Sequence, residues 1–159
     1  MHVIKDKHVC EDSWQVLPVG GELPDTGDFL VGLELWNRGN IGQRAGKVGL
    51  VLRSGDDVAK AERLGAAPLI AVEFPKFTDG RGYSMARLLR GRLNYKGELR
   101  AVGNVLRDNL LFMQRCGFDA FVLQPGKNVE GSLTAFDELP ERYQADAAET
   151  QPLFRRVAR

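Results

Sequence analysis

Four short apolar runs recur through the middle of the chain, and their spacing limits the folds open to it. They are Val48-Gly49-Leu50-Val51-Leu52, Leu69-Ile70-Ala71-Val72-Glu73-Phe74, Glu98-Leu99-Arg100-Ala101-Val102 and Asp119-Ala120-Phe121-Val122-Leu123. Runs of this length without strict alternation suit strands covered on both faces. Each gap between them has room for one helix. Asp56 can cap a helix through Leu64, with Gly65 at its end. Ser84 can cap one whose Met85, Leu88 and Leu89 face inward. Asn104 can cap one over 105–116 that stops at Gly117, and a further helix fits 129–139. The strand–helix–strand rhythm predicts the α/β class, with about four βα units on a central, mainly parallel sheet. Two architectures accommodate four units: an open three-layer sheet or half of a (β/α)8 barrel. The open sheet is the preferred expectation, because four units cannot close a barrel alone.

The flanks read differently. Residues 1–12 alternate loosely around Lys5-Asp6-Lys7 and predict a small hairpin. Residues 17–28 are rich in Gly and Pro and predict a loop. Asp28 can then cap a helix with Phe29, Leu30, Leu33 and Trp36 on one face, ended by Gly39. The sequence thus divides into an N-terminal extension (1–46), a βα core (47–139) and a polar tail (140–159), all within one domain. With 159 residues, 43% of them hydrophobic and 27% charged, the chain can bury a core without staples.

Several chemistries are excluded early. Cys10 and Cys116 are too few for a disulfide framework or a four-cysteine iron–sulfur cluster. His2, His8 and the two cysteines show no recognised metal spacing. Neither GxGxxG nor GxxxxGK[ST] occurs, so no cofactor and no metal are expected. The first residues lack the apolar core of a signal peptide, and no run nears the about 20 residues of a membrane helix. A cytoplasmic address, with no membrane partner, is the expectation. Nucleic acid is also not expected, since no recognition module fits. Both histidines lie in the first eight residues, so no Ser–His–Asp or Cys–His arrangement is visible.

In parallel α/β folds, ligands gather beyond the carboxyl ends of the strands. The most unusual such stretch is Phe74-Pro75-Lys76-Phe77-Thr78-Asp79-Gly80-Arg81-Gly82-Tyr83-Ser84. It either forms an anion site, with Lys76 and Arg81 beside a helix N-terminus, or a turn closed by an Asp79–Arg81 bond. From Arg81 to Arg115 there are seven Arg and one Lys against Glu98 and Asp108, a local charge of +6. Residues 129–150 carry −5. The two segments either pair with each other or leave an Arg-rich face free for an oxyanion or an acidic partner. Arg87 and Arg107 belong to that face. Arg100 lies inside a strand, where it either pairs with Glu98 two residues before or reaches a ligand. Asp108 is placed to hold Arg81 or Arg100. Asp79 and Asp108 are the candidate catalytic groups, as proton carriers.

These stretches, with Ala86-Arg87-Leu88-Leu89-Arg90, Gly97-Glu98-Leu99-Arg100-Ala101-Val102-Gly103, Arg107-Asp108 and Arg115-Cys116-Gly117-Phe118-Asp119-Ala120-Phe121, resemble the bacterial family called domain of unknown function 934. The likeness is densest over 69–123. It departs at Met85, where Gln is usual, and at Asn104, where Asp is usual. The family has no established activity. Its members are typically encoded beside assimilatory sulfite reductase and sulfonucleotide reductase, and some carry the label oxidoreductase. The resemblance therefore implies an accessory role in sulfate assimilation, with a possible reductase partner. The alternative is an enzyme acting on a small anion, either a sulfur oxyanion or a phosphorylated metabolite.

Overall fold

A computed structural model describes residues 2–39, 44–139, 143–147 and 149–156. The expected core strands are present as β5 (Val48–Leu52), β6 (Leu69–Phe74), β7 (Glu98–Gly103) and a short β8 (Ala120–Phe121). The expected hairpin is β1 (His2–Lys5) and β2 (His8–Glu11), in antiparallel register from His2↔Glu11 to Lys5↔His8. Asp6 and Lys7 both take positive φ, as a two-residue hairpin turn of this twist requires. Two strands were not expected: β3 (Gln15–Val16) and β4 (Phe29–Gly32).

The order across the sheet is β2-β1-β8-β7-β6-β5-β4-β3. From β3 to β8 every neighbour is parallel and consecutive. A doubly wound three-layer sheet reverses direction at a switch point. This one never reverses, so right-handed crossovers put the helices on one face. The half-barrel, the second of the two expected architectures, is the one adopted. Chain length makes the curvature compulsory. β2 and β3 lie at opposite edges but are joined by residues 12–14 alone. Four Cα steps reach at most about 15 Å. Eight strands laid flat would hold the edges about 34 Å apart. The sheet curls, and the linker crosses its interior.

The two faces differ accordingly. Ile70, Val72 and Phe74 of β6 and Leu99 and Ala101 of β7 meet Met85, Ala86, Leu89, Leu110 and Met113 in the main core. These helical residues come from α2 (Arg81–Gly91) and α3 (Leu110–Cys116). The opposite, inner face is small: Leu30, Val51, Leu69 and Ala71, with Trp14 and Val102 packed on them. Gly49 makes room for the crossing linker. A Cβ there would stand 2.6 Å from the Leu69 carbonyl oxygen and 3.2 Å from the Trp14 ring.

Polar groups inside the curl are paired. The Arg100 guanidinium, its side chain 4% exposed, bonds Asp12 Oδ2 at 2.8 Å and Glu98 Oε1 at 2.6 Å. Lys5 Nζ closes on Glu98 Oε2 at 2.8 Å. Two cations and two anions thus sum to zero, with Arg100, Asp12 and Glu98 largely shut off from water and Lys5 half-exposed at the edge. The quartet ties β1, β7 and the crossing linker together.

Several expected helices are corrected. Phe29, Leu30 and Val31 form a buried strand, and only Leu33–Arg38 is helical (α1), ending at Gly39 with φ 70°. Asp28 caps nothing; it accepts the Lys47 N–H at 2.8 Å and the Ser13 hydroxyl at 3.3 Å. The segment after Asp56 makes two 3₁₀ turns, Val58–Lys60 and Leu64–Ala66. Arg63 at φ 51° interrupts it, and Val58 is its only deeply buried residue, too little apolar face for a stable helix. Asp57 caps the first turn, while Asp56 accepts the Arg53 N–H at 2.7 Å. α2 starts at Arg81, so Ser84 lies inside it. Asn104 donates its N–H to Phe74 O at 2.7 Å instead of capping; α3 starts after a 3₁₀ turn at Arg107–Asn109 and does end at Gly117. Over 129–139 a four-residue helix α4 (Val129–Ser132), capped by Asn128, runs into a 3₁₀ turn. In the expected tail, Leu153–Arg156 forms α5, and residues 140–142 lie outside the described part. No described helix is long and apolar enough to cross a membrane.

Candidate functional site

The strands β5 and β6 end at one rim of the curl, where the Lys76–Ser84 stretch lies. Gly82 lets α2 settle on the Phe74 ring, since a Cβ would stand 2.5 Å from it. Asp79 is turned toward its own neighbours. It accepts the Arg81 N–H at 3.1 Å, Arg81 Nε at 3.0 Å, Arg81 Nη2 at 2.8 Å and the Ser54 hydroxyl. The Arg81 guanidinium, then the Ser54 hydroxyl, hold the Asp79 carboxyl well below the usual carboxylate range. A carboxylate so stabilised is a weak base at neutral pH. Lys76 is exposed and carries no side-chain bond among the described residues.

The other expected site residues are dispersed. Arg100 points into the curl and is held by Asp12 and Glu98, so it does not join Lys76 and Arg81. Asp108 holds neither Arg81 nor Arg100: its exposed carboxylate lies 3.7 Å from Arg107, its neighbour in the 3₁₀ turn. Arg107 also pairs with Glu138 at 2.5 Å and bonds the Thr134 hydroxyl at 3.0 Å. Arg90, counted in the basic segment, is a structural post. It donates to the carbonyls of Gly117 (2.9 Å), Tyr95 and Gly97 (both 2.8 Å) and pairs with Asp119 at 2.6 Å. Burial pushes the Asp119 carboxyl up, against that pairing.

Arg87 leads to a concavity on the helix layer. A groove of ≈ 630 Å³ runs between α2 and α3, with Tyr83, Arg87, Arg92, Phe112, Arg115 and Cys116 on its walls. The Phe74, Tyr83 and Phe112 rings step outward from the core at centroid distances of 5.1 and 5.0 Å. Asn109 steadies the Tyr83 hydroxyl at 3.0 Å. Arg115 Nε meets Asp146 Oδ2 at 3.3 Å. The Arg87 side chain reaches only the Arg115 carbonyl, at 3.4 Å, and the Arg92 side chain has no hydrogen bond or ion pair among the described residues. Cys116 is buried in the groove floor, and burial pushes its thiol up, so it is a poor nucleophile.

Both readings of the +6 and −5 segments therefore apply in part. Arg107 and Arg115 pair with acids of the later segment; Arg87 and Arg92 do not. Arg92, Phe112 and Arg115 were not singled out from the sequence. The available signal was helical spacing: Tyr83 with Arg87 at i, i+4, and Phe112 with Arg115 and Cys116 at i, i+3, i+4.

No curated protein and no solved structure shows significant similarity to the chain. A family model does match, over residues 49–154, which span β5 to the start of α5 and include both the rim and the groove. Its description is "Bacterial protein of unknown function (DUF934)", and over two thirds of its length the chain belongs to that family.

Proposed function

We propose that the chain is an accessory protein of assimilatory sulfite reduction that docks a reductase through the groove between α2 and α3. One observation carries this reading. Arg53, Arg81, Arg90, Arg100, Arg107 and Arg115 each hold a carboxylate, whereas Arg87 and Arg92 face the groove without one among the described residues. Two guanidinium groups beside an aromatic wall suit an acidic surface, or the oxyanion such a surface imitates. The link to sulfite reduction comes from the family resemblance, whose members neighbour the reductases. The competing reading, an enzyme handling a small anion at the strand rim, requires Arg81 to leave Asp79 first.

The test is calorimetric titration of the chain with purified sulfite reductase. The double variant Arg87→Ala/Arg92→Ala should lose at least about tenfold in affinity while its circular dichroism stays unchanged, because both side chains are exposed. Wild-type binding should also weaken between about 0.05 and 0.5 M NaCl. Equal affinity of variant and wild type overturns the proposal.

A further inference from the structure

We infer that the groove's partner is an acidic peptide segment, and that the chain's own Asp146 turn already occupies one of the places such a segment would take. The inference rests on the groove being a docking surface.

The Asp146 side chain is 3% exposed and lies at the Arg115 end of the groove. Its carboxylate accepts Arg115 Nε at 3.3 Å and the Glu149 N–H at 2.8 Å. The backbone repeats the attachment: Ala147 N–H donates to the Arg115 carbonyl at 3.1 Å, and Asp146 N–H to the Glu149 carbonyl at 2.7 Å. A carboxylate, a peptide N–H and a turn thus bind one arginine and its carbonyl, which is how a bound acidic peptide would be held.

At the base of the turn Leu153 N–H donates to the Tyr143 carbonyl at 2.9 Å, Gln151 N–H donates to Glu149 Oε1 at 3.1 Å, Arg156 lies 3.8 Å from Glu149, and the tilted Tyr143 and Phe154 rings meet at 6.3 Å. Those two rings remain 66% and 62% exposed, so they bury little apolar surface. Displacing Asp146 by another carboxylate exchanges one ion pair for another and leaves Arg115 satisfied. Arg87 and Arg92 then add contacts that the chain's own turn does not make. Arg87 lies on α2 and Arg92 stands at its C-terminal end five residues on, so the two guanidinium groups enter the groove from different sides of the helix. A peptide whose acids are spaced along its length, with aromatics between them, would meet both arginines and the Tyr83–Phe112 wall.

The experiment uses the full chain and a fluorescein-labelled peptide of sequence Glu-Phe-Glu-Tyr-Glu, read by anisotropy. Asp146→Asn weakens the internal occupant, and Ala147→Pro deletes the N–H that donates to the Arg115 carbonyl. Each should bind the peptide about three- to fivefold more tightly than wild type, while Arg87→Ala/Arg92→Ala should bind it at least about tenfold more weakly. In the wild-type chain, the peptide should speed amide hydrogen exchange at Ala147 and Glu149. If the arginine variant loses binding but both turn variants match wild type and exchange is unaltered, the internal occupant is refuted and the docking groove stands. If neither wild type nor the turn variants bind the peptide, and the arginine variant still binds the reductase, both readings fall.

Discussion

Replacing Asp12 by alanine removes one carboxylate from the quartet inside the curl. Arg100 keeps Glu98 at 2.6 Å, but Glu98 is shared with the half-exposed Lys5 at 2.8 Å, so a network that summed to zero is left with a net positive charge beside the buried Arg100. The Arg100 and Asp12 side chains are 4% and 2% exposed, so water cannot compensate. Breaking a buried pair from one side costs roughly 3–5 kcal/mol, and the remaining Glu98 contact places Asp12→Ala near the lower end, about 3 kcal/mol. For a chain of this length that lowers Tm by about 6–12 °C. Arg100→Met should cost a similar amount, because it strands Asp12. The double variant restores neutrality: Lys5 and Glu98 remain as a partly exposed pair, and the methionine fills apolar space. It should lose less than the sum of the singles by about 2 kcal/mol or more. Urea unfolding followed by tryptophan fluorescence reads this directly, since Trp14 lies two residues from Asp12. Single variants that cost under about 1 kcal/mol, or a double variant equal to the sum, would refute the account of the quartet as one coupled unit.

Two further outcomes follow from the basic segment and the rim. Arg90→Ala should destabilise the fold by about 3 kcal/mol, since it unpairs three carbonyls and the half-buried Asp119; Arg92→Ala, two residues on, should stay within about 0.5 kcal/mol in the same thermal melts. Asp79 has a folded-state value depressed below its ordinary 3.8, so its contribution to stability is complete above that value and is lost as pH falls below it. Asp79→Asn should therefore flatten the acid limb of a stability–pH profile below about pH 4 and leave its alkaline limb unchanged; an unaltered acid limb would show that Asp79 titrates normally.

The parts of the fold that the sequence announces are those whose cause is local. β5 and β6 are almost wholly apolar on both faces and β7 on one, so composition alone marks them. The Glu98–Arg100 pair follows from strand alternation two residues apart. Asp12, the third member of that network, stands 88 residues from Arg100 and has no local signal. β4 was hidden because Phe29, Leu30, Leu33 and Trp36 also satisfy helical spacing; the helix takes only the last two. The choice between open sheet and half-barrel lies in strand order, which is a long-range property, although the brevity of residues 12–14 limits it once β2 and β3 are known. At the site, Asp79 and Arg81 close on each other because their spacing allows a carboxylate to cap the start of α2. The groove is legible only when two helical stripes are set side by side.

The seam between β1 and β8 carries a consequence for how the molecule assembles. β4 to β8 pair with successive neighbours, whereas Ile4 pairs with Phe121 across most of the described chain. Closing that loop from the open chain costs about 1.5 kcal/mol more in entropy than bringing Leu50 to Ile70. The consecutive strands therefore form a nucleus first, and the hairpin is laid along β8 afterwards. The antiparallel seam is two residue pairs long, Ile4↔Phe121 and Lys5↔Ala120, as short as the β3–β4 and β7–β8 pairings, but Ile4 and Phe121 are buried in the core. The topology thus delays assembly: the β1–β2 hairpin has no place in the sheet until β8, the last of the described strands, has formed.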